Sequence, residues 1–562
     1  HRLQKRTAGA AGSEPVQPIV YYLDPGVPEP YRAAFKQGAM WWNRVFEAAG
    51  FRDAFRVDDM PADMDPMDAR YHVIQWIHRT EPGYSIGPSF VDPRSGEIIK
   101  AAVRMESHRS LVDHDIFAGA APARGGDGFR SERRTGDDWT GDWLGDPGLA
   151  SWIASLDTSV TAEQFSMARR RQHAAHEVGH TLGLAHNFAA ASYGRASVMD
   201  YPAPLVRLTD GRVDLREAYR EGPGAWDSLA IRWAYTEFAA RDEAAGLEAI
   251  AQEGLARGLR FITNPDEGAG GSYPEATTWV NGADMVEELA RVAGVRTALL
   301  AAFDERAIAP GEPMALLSRR LAPVYLHHRY TLEAAVKAIG GMEFRYAVRG
   351  DTQAVTRVVA PARQRRALEL ALDALQPEAL ALPEPVLRML APRPFGYGAD
   401  ARRPGSAAGP AFDQVGLART LAASVIGGVL APERVARLVA FAERNAAAPT
   451  ATEVVGRVIE RTWDAPPPAR HAALQRAVQR VVVDELIELA ATARATPEAR
   501  AAAEWGLRRI AARLRPVVQV APEVQAHRAL AAADITRFLE RRDGATGRPA
   551  PLAAPPGTPI GN

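Results

Sequence analysis

The sequence predicts an α+β protein in two parts. Short strands mixed with helices fill roughly the first 240 residues, and a mainly α-helical region follows. Three observations carry this reading. Short apolar runs of strand length recur between residues 18 and 105. A capped helix bearing paired histidines starts near residue 161. Beyond about residue 283 only helix-period patterns remain, many of them rich in Ala and Arg. At 562 residues the chain exceeds one ordinary domain. The expected division is 1–17 as a linker or fragment of a preceding domain, 18–240 as the domain carrying the chemistry, 241–282 as a connecting segment, 283–542 as a helical domain, and 543–562 as a disordered tail.

Taken in order, Ile19–Leu23 reads as a buried strand. Phe35, Ala39, Trp42, Phe46 and Ala49 recur at three or four residues, so Tyr31–Ala49 reads as an amphipathic helix closed by Gly50. Phe55–Val57, His72–His78, Ser85–Val91 and Ile98–Met105 read as strands, the last two joined by the turn Asp92–Gly96. Pro88 cannot donate to a ladder, which places Ser85–Val91 at a sheet edge. Residues 118–148 are rich in Gly, Arg and Asp without periodicity and read as a loop. Thr161 and Gln164 form a capping box, opening a helix expected to run through Leu182. A short helix is expected at Ala225–Phe238. Further helices are expected at Ala283–Phe303, Met314–Ile339, Pro361–Leu375, Val415–Leu430, Pro432–Asn445 and Ala472–Ala491, with no competing strand and no fixed-period repeat.

Composition removes several function classes. Net charge is −1, which leaves no electrostatic case for nucleic acid as a partner. There are four lysines (Lys5, Lys36, Lys100 and Lys337), none in a Gly-Lys-Ser/Thr context, so no phosphate-binding loop of that type is present. Cysteine is absent, which excludes disulfides, thiolate metal sites and cysteine nucleophiles. The longest apolar stretch, around Leu421–Pro432, falls short of a membrane span, and no charged-then-apolar leader is visible at the start.

The informative segment is His176-Glu-Val-Gly-His180-Thr-Leu-Gly183-Leu-Ala-His186. Helix positions four apart differ by about 40° in azimuth, so His176 and His180 point the same way and can reach one Zn²⁺ at about 2.0–2.1 Å. Ala174, Ala175, Val178 and Leu182 are expected on the packed side. Gly183 can take a positive φ, ending the helix and swinging His186 back as a third ligand. Three neutral imidazoles leave a coordination position for water, as in catalytic zinc sites, and Glu177 beside the first ligand is the candidate general base. A chance H-E-x-x-H in such a chain has odds on the order of one or two in a hundred. Requiring the Gly and the third His lowers this to roughly a few in a hundred thousand.

These residues match the metzincin motif H-E-x-x-H-x-x-G-x-x-H, and Ser197-Val-Met199-Asp-Tyr201-Pro downstream resembles the family's Met-turn. The chain as a whole resembles the bacterial Met-zincin family of zinc-dependent metalloproteases. The resemblance rests on Pro18–Pro25, Trp41-Trp-Asn43, Val73–His78, Val91–Ile99 and the zinc motif, and extends weakly through the helical half. It implies a metzincin-like catalytic domain, a small twisted mixed sheet with an active-site helix, followed by a mainly α-helical C-terminal domain. One catalytic Zn²⁺ would be held by His176, His180 and His186. Met199 would be an apolar floor under the metal. Tyr201 stands where some members contact zinc or the oxyanion, and a tyrosine simply packed beside the cleft accounts for it equally. It further implies a peptide substrate antiparallel to the edge strand Ser85–Val91, a specificity wall formed by Pro202–Val206, and an exported (periplasmic or extracellular) protein. Family members are commonly larger, with an additional N-terminal region and an export signal.

Other signals are weaker. Gly83-Tyr-Ser85-Ile-Gly87 fits the serine-hydrolase pattern G-x-S-x-G, but Pro88 stands where a helix must begin. His173 lies about 60° from His176, away from His180, and suits an outer-shell or surface place. His327 and His328 read as a partly exposed helix surface. Asp137, Asp138, Asp142 and Asp146 could bind structural Ca²⁺ but lack a recognised loop spacing, so a solvated loop is the simpler account. The expected function is a zinc-dependent endopeptidase with Glu177 as base. The alternatives are a non-catalytic zinc-containing binding protein and a serine hydrolase using Ser85.

Overall fold

The computed structural model describes residues 1, 3–78, 85–106, 160–264, 266–268, 270–308, 310–351, 353–395, 405–514 and 520–540. The Asp-rich stretch with Asp137, Asp138, Asp142 and Asp146, the pair Gly83 and Tyr84, and the tail from 541 lie outside them.

Five strands, β1 (Ile19–Leu23), β2 (Phe55–Asp59), β3 (His72–Ile77), β4 (Ser89–Val91) and β5 (Ile98–Glu106), form one sheet in the order β2-β1-β3-β5-β4. The first four in that order run parallel, and β4 pairs antiparallel with β5, so the sheet is mixed and β4 is an edge. The edge strand is shorter than its apolar pattern suggested. Ile86 bridges Arg104, but Pro88 interrupts regular pairing until Ser89.

Helix α1 (Tyr31–Ala48) and helix α2 (Ala162–Thr181) pack together on the sheet. Their shared core holds Phe35, Trp42 and Phe46 with Ala174, Ala175, Val178, Ile74 and Val103. Gly38 sets the close approach, because a Cβ there would collide with the Arg171 carbonyl, and Trp42 Nε1 donates to the Ala175 carbonyl at 2.8 Å. The predicted capping box is present, with Thr161 and Gln164 each accepting the other's backbone N–H.

After α2 come the hairpin β6 (Arg207–Thr209) and β7 (Arg212–Asp214), helix α3 (Ala225–Tyr235) and helix α4 (Glu243–Ala256), the last within the segment expected to be a connector. The helical region holds α5 (Met285–Ala302), α6 (Leu317–Tyr325), α7 (Arg329–Val336), α8 (Pro361–Asp373), α9 (Pro377–Leu380), α10 (Glu384–Met389), α11 (Gln414–Val429), α12 (Pro432–Arg444), α13 (Ala451–Thr462), α14 (Ala472–Ala491), α15 (Pro497–Arg513) and α16 (Pro522–Glu540). Its core is continuous with Phe165 of α2 and with Val206, Val213 and Leu215 around the hairpin.

Three expectations fail here. Met314–Ile339 is not one helix: it divides into a 3₁₀ turn, α6 and α7, with Pro323 inside α6 and a turn at residues 326–328. His327 and His328 stand in that turn. His328 is buried and His327 half-buried, so they are not an exposed helix face. The helical region also contains a hairpin, β8 (Met342–Phe344) with β9 (Thr356–Val358). The apolar stretch Gln414–Arg444 is long and apolar enough by composition to cross a membrane, but it comprises two helices, and more than half of its apolar window is buried in the core.

Candidate metal centre

Helix α2 delivers His176 and His180 on one face, one turn apart. Gly183, at φ +92°, ends the helix. Its N–H donates to the His180 carbonyl (3.0 Å) and the Leu184 N–H to the Gly179 carbonyl (3.1 Å). That reversal brings His186 back to the other two. The Nε2 of His180 lies 3.1 Å from those of both His176 and His186, and among the described residues these three form the one group placed to share a cation.

The opposite ring nitrogens settle the tautomers. His176 Nδ1 lies 2.7 Å from the Val198 carbonyl, His180 Nδ1 2.9 Å from the Leu184 carbonyl, and His186 Nδ1 2.9 Å from Asn264 Oδ1. Each partner is an oxygen that only accepts, so each Nδ1 carries the proton and each Nε2 presents a bare lone pair. Burial holds all three rings below the usual imidazole pKa, His180 at about 4, with neighbouring imidazoles adding to the effect at His176 and His180. Three neutral lone pairs facing one another repel unless a cation lies between them. A tetrahedral Zn²⁺ at about 2.0–2.1 Å would set its ligand atoms about 3.3–3.4 Å apart, close to what is found. The residues therefore fit zinc.

Glu177 follows His176 directly on α2. It is buried, and its Oε1 lies 3.1 Å from Nε2 of His173, also buried. His173 thus takes the outer-shell place open to it in the sequence, not the surface. Met199 lies beneath the helix, fully buried. A Cβ on Gly179, inside the histidine motif, would collide with its Sδ and come within 2.8 Å of Trp42. The Tyr201 ring packs against two of the three imidazoles, with centroids 5.3 Å from His176 and 4.6 Å from His186. The edge strand approaches closely as well: a Cβ on Gly87 would strike the Glu177 carbonyl and sit 3.1 Å from His180 Cβ.

Several supporting residues escaped sequence reasoning. Asp227, in the first turn of α3, accepts from Ser197 Oγ (2.6 Å), Val198 N–H (3.0 Å) and Gly224 N–H (2.6 Å). It thereby fixes the turn whose Val198 carbonyl receives His176. Asp200 accepts from the N–H groups of Ala191 and Tyr201. Burial raises Asp227 to about 6 and Asp200 to about 7. Asn264 is held by Glu267, whose carbonyl accepts from Lys337 Nζ on the chain after α7. Trp279 packs on Tyr201 at 5.5 Å and donates its N–H to the Tyr201 carbonyl, at the strained φ of +62°. An aspartate three residues into a predicted helix was the visible signal for Asp227. Asn264 and Trp279 carry none.

Ser85 does not match a nucleophile. It is buried, its Oγ accepts from the Glu106 N–H at 3.3 Å, and extended chain follows it where a helix would be needed.

No curated protein and no solved structure matches this chain. The sequence profile of the Met-zincin family matches residues 158–469, more than half of the chain, from just before α2 into the helical region. The histidine group, Gly183 and Met199 all fall within the matched stretch, and the sheet that supports them precedes it. The chain belongs to the Met-zincin family of metzincin-type zinc metalloproteases.

Proposed function

We propose that this protein is a zinc-dependent endopeptidase in which His176, His180 and His186 hold one Zn²⁺ and Glu177 is the general base. The observation that carries the proposal is the convergence of three bare Nε2 atoms, two of them on the helix that also bears a buried carboxylate. Zinc bound there supplies Lewis acidity, lowering the pKa of a bound water and polarising the scissile carbonyl. Glu177 takes the proton released as the water oxygen adds to the carbonyl carbon, and returns it to the amine nitrogen as the C–N bond breaks. Tyr201, packed on two of the imidazoles, is assigned to the oxyanion.

The substrate is an extended peptide along the free edge of β4, whose approach through Gly87 brings it next to His180. Edge pairing reads main chain more than side chains, and both ends of a strand can continue past the metal, which suits internal cleavage. Pro202–Val206 forms one wall, tied by Asn281 Nδ2 to the Ala203 carbonyl and by Arg291 Nη1 to the Val206 carbonyl. Export rests on the family resemblance alone.

The test is zinc content together with cleavage-site mapping on a mixed peptide pool. Zinc-loaded protein should cleave, chelation should abolish cleavage and added zinc should restore it. Glu177→Gln should keep zinc while lowering turnover by about 10²–10⁴-fold. Stoichiometric zinc without cleavage would favour the non-catalytic binding-protein reading. Chelator-insensitive cleavage blocked by a serine-directed phosphonate would favour Ser85.

A further inference from the structure

We infer that His173 is a positioning residue for Glu177, an inference that rests on the base role proposed above. The two side chains stand one helical turn apart on α2, each about 1 % exposed, with Nε2 and Oε1 3.1 Å apart. A carboxylate oxygen can only accept, so His173 Nε2 is the donor. His173 is not a fourth metal ligand, since its Nε2 is directed to Glu177 and it stands outside the group of three that converge.

The need for such a donor follows from the geometry of glutamate. The terminal torsion of its side chain is broad and close to two-fold, so burial alone does not fix the plane of the carboxylate. A hydrogen bond to Oε1 fixes that plane. The donor itself is anchored by packing. Gly38 admits the α2 backbone at Arg171, and Trp42 Nε1 holds the Ala175 carbonyl, so the turn bearing His173 is clamped to α1 on both sides. His173 therefore passes the rigidity of the two-helix core to the one group that must meet a reacting proton in a defined orientation.

Two variants and one spectroscopic measurement test this. His173→Gln keeps an N–H donor of comparable reach, whereas His173→Phe keeps ring volume and removes the donor. In the zinc-loaded protein, His173→Phe should lower kcat by roughly tenfold to a hundredfold. KM should stay within about twofold and zinc at full stoichiometry, and His173→Gln should recover most of the loss. Independently of activity, histidine-selective ¹⁵N labelling should show a solvent-protected Nε2–H for His173 that persists in Glu177→Gln and loses protection in Glu177→Leu. Unchanged kcat in a zinc-replete His173→Phe protein would overturn the inference, as would equal losses in the Gln and Phe variants. Should the Phe variant not fold, an unprotected Nε2–H in the unmodified protein overturns it. Zinc-loaded wild type that cleaves nothing would instead sink the peptidase reading, leaving the hydrogen bond to be judged from the spectrum.

Discussion

Asn264 shows how much of the centre is decided away from its motif. It lies 78 residues beyond His186, yet its Oδ1 accepts a hydrogen bond from the His186 Nδ1–H and so aims Nε2 at the other two imidazoles. Partners of this kind typically contribute a factor of 10–100 in metal affinity. Asn264→Ala should therefore weaken zinc binding by about that factor, read by competition with a chromophoric chelator, with little change in thermal stability of the metal-free protein. Gly183 acts through its backbone. The space beside it is open, the nearest atom to an added Cβ being Ile98 Cδ1 at 3.9 Å, so Gly183→Ala meets only the cost of a positive φ, about 1–2 kcal/mol. It should lower the denaturation midpoint accordingly and weaken zinc through the displaced Leu184 carbonyl. The three ligands, Glu177 and Gly183 were legible because a single helix turn and one glycine relate them. Asn264 was not, since nothing local distinguishes it from other loop asparagines.

At the level of elements, α2 is both the carrier of the ligands and the centre of the first core. Its C-terminal carbonyls are satisfied by the Gly183 turn and by the Tyr235 hydroxyl of α3, which donates to the Leu182 carbonyl at 2.9 Å. Gly179 lets Met199 and Trp42 approach the helix from below. Gly179→Ala should cost about 1–3 kcal/mol through overpacking and also disturb zinc binding, visible as a lowered unfolding midpoint with and without metal. The boundaries of α1, β1, α14 and the capping box of α2 follow from periodicity and punctuation. The hairpins β6–β7 and β8–β9 escaped because strands of three residues are too short for an alternation to register. The break between α6 and α7, at residues 326–328, falls inside a continuous apolar pattern with no Gly or Pro at the turn itself to mark it.

Across the whole molecule, the acidic pair behind the Met-turn predicts a pH response. Burial raises Asp227 to about 6 and Asp200 to about 7, above their ordinary value of 3.8. The folded state thus retains protons that the unfolded chain gives up. Their stabilising contribution is full below about pH 4 and is lost as pH rises toward 7, by about 3 kcal/mol for Asp227 alone. The buried imidazoles, held below their ordinary pKa, titrate in the opposite sense, so the Asp227 part is read as a difference. In the metal-free protein, going from pH 4.5 to 7.5 should change stability less favourably in the unmodified protein than in Asp227→Asn. An equal change in both proteins would remove Asp227 as a source of the loss. Zinc acts in the opposite sense at neutral pH. A ligand bound by the folded state alone raises the unfolding midpoint with free zinc concentration, and chelation should reverse the shift.

Residue order along one helix determined the chemistry: which imidazoles can meet, which carboxylate stands beside them, and where the helix must end. These depend on fixed local geometry, about 100° and 1.5 Å per residue, which any reader of the chain can apply. Only tertiary structure decided which oxygens fix the imidazole tautomers, that His173 is buried against Glu177, and that Asn264 and Trp279 close the site from beyond residue 240. Those contacts are made between segments whose meeting is set by core packing, and packing leaves no periodic trace in the segments it joins.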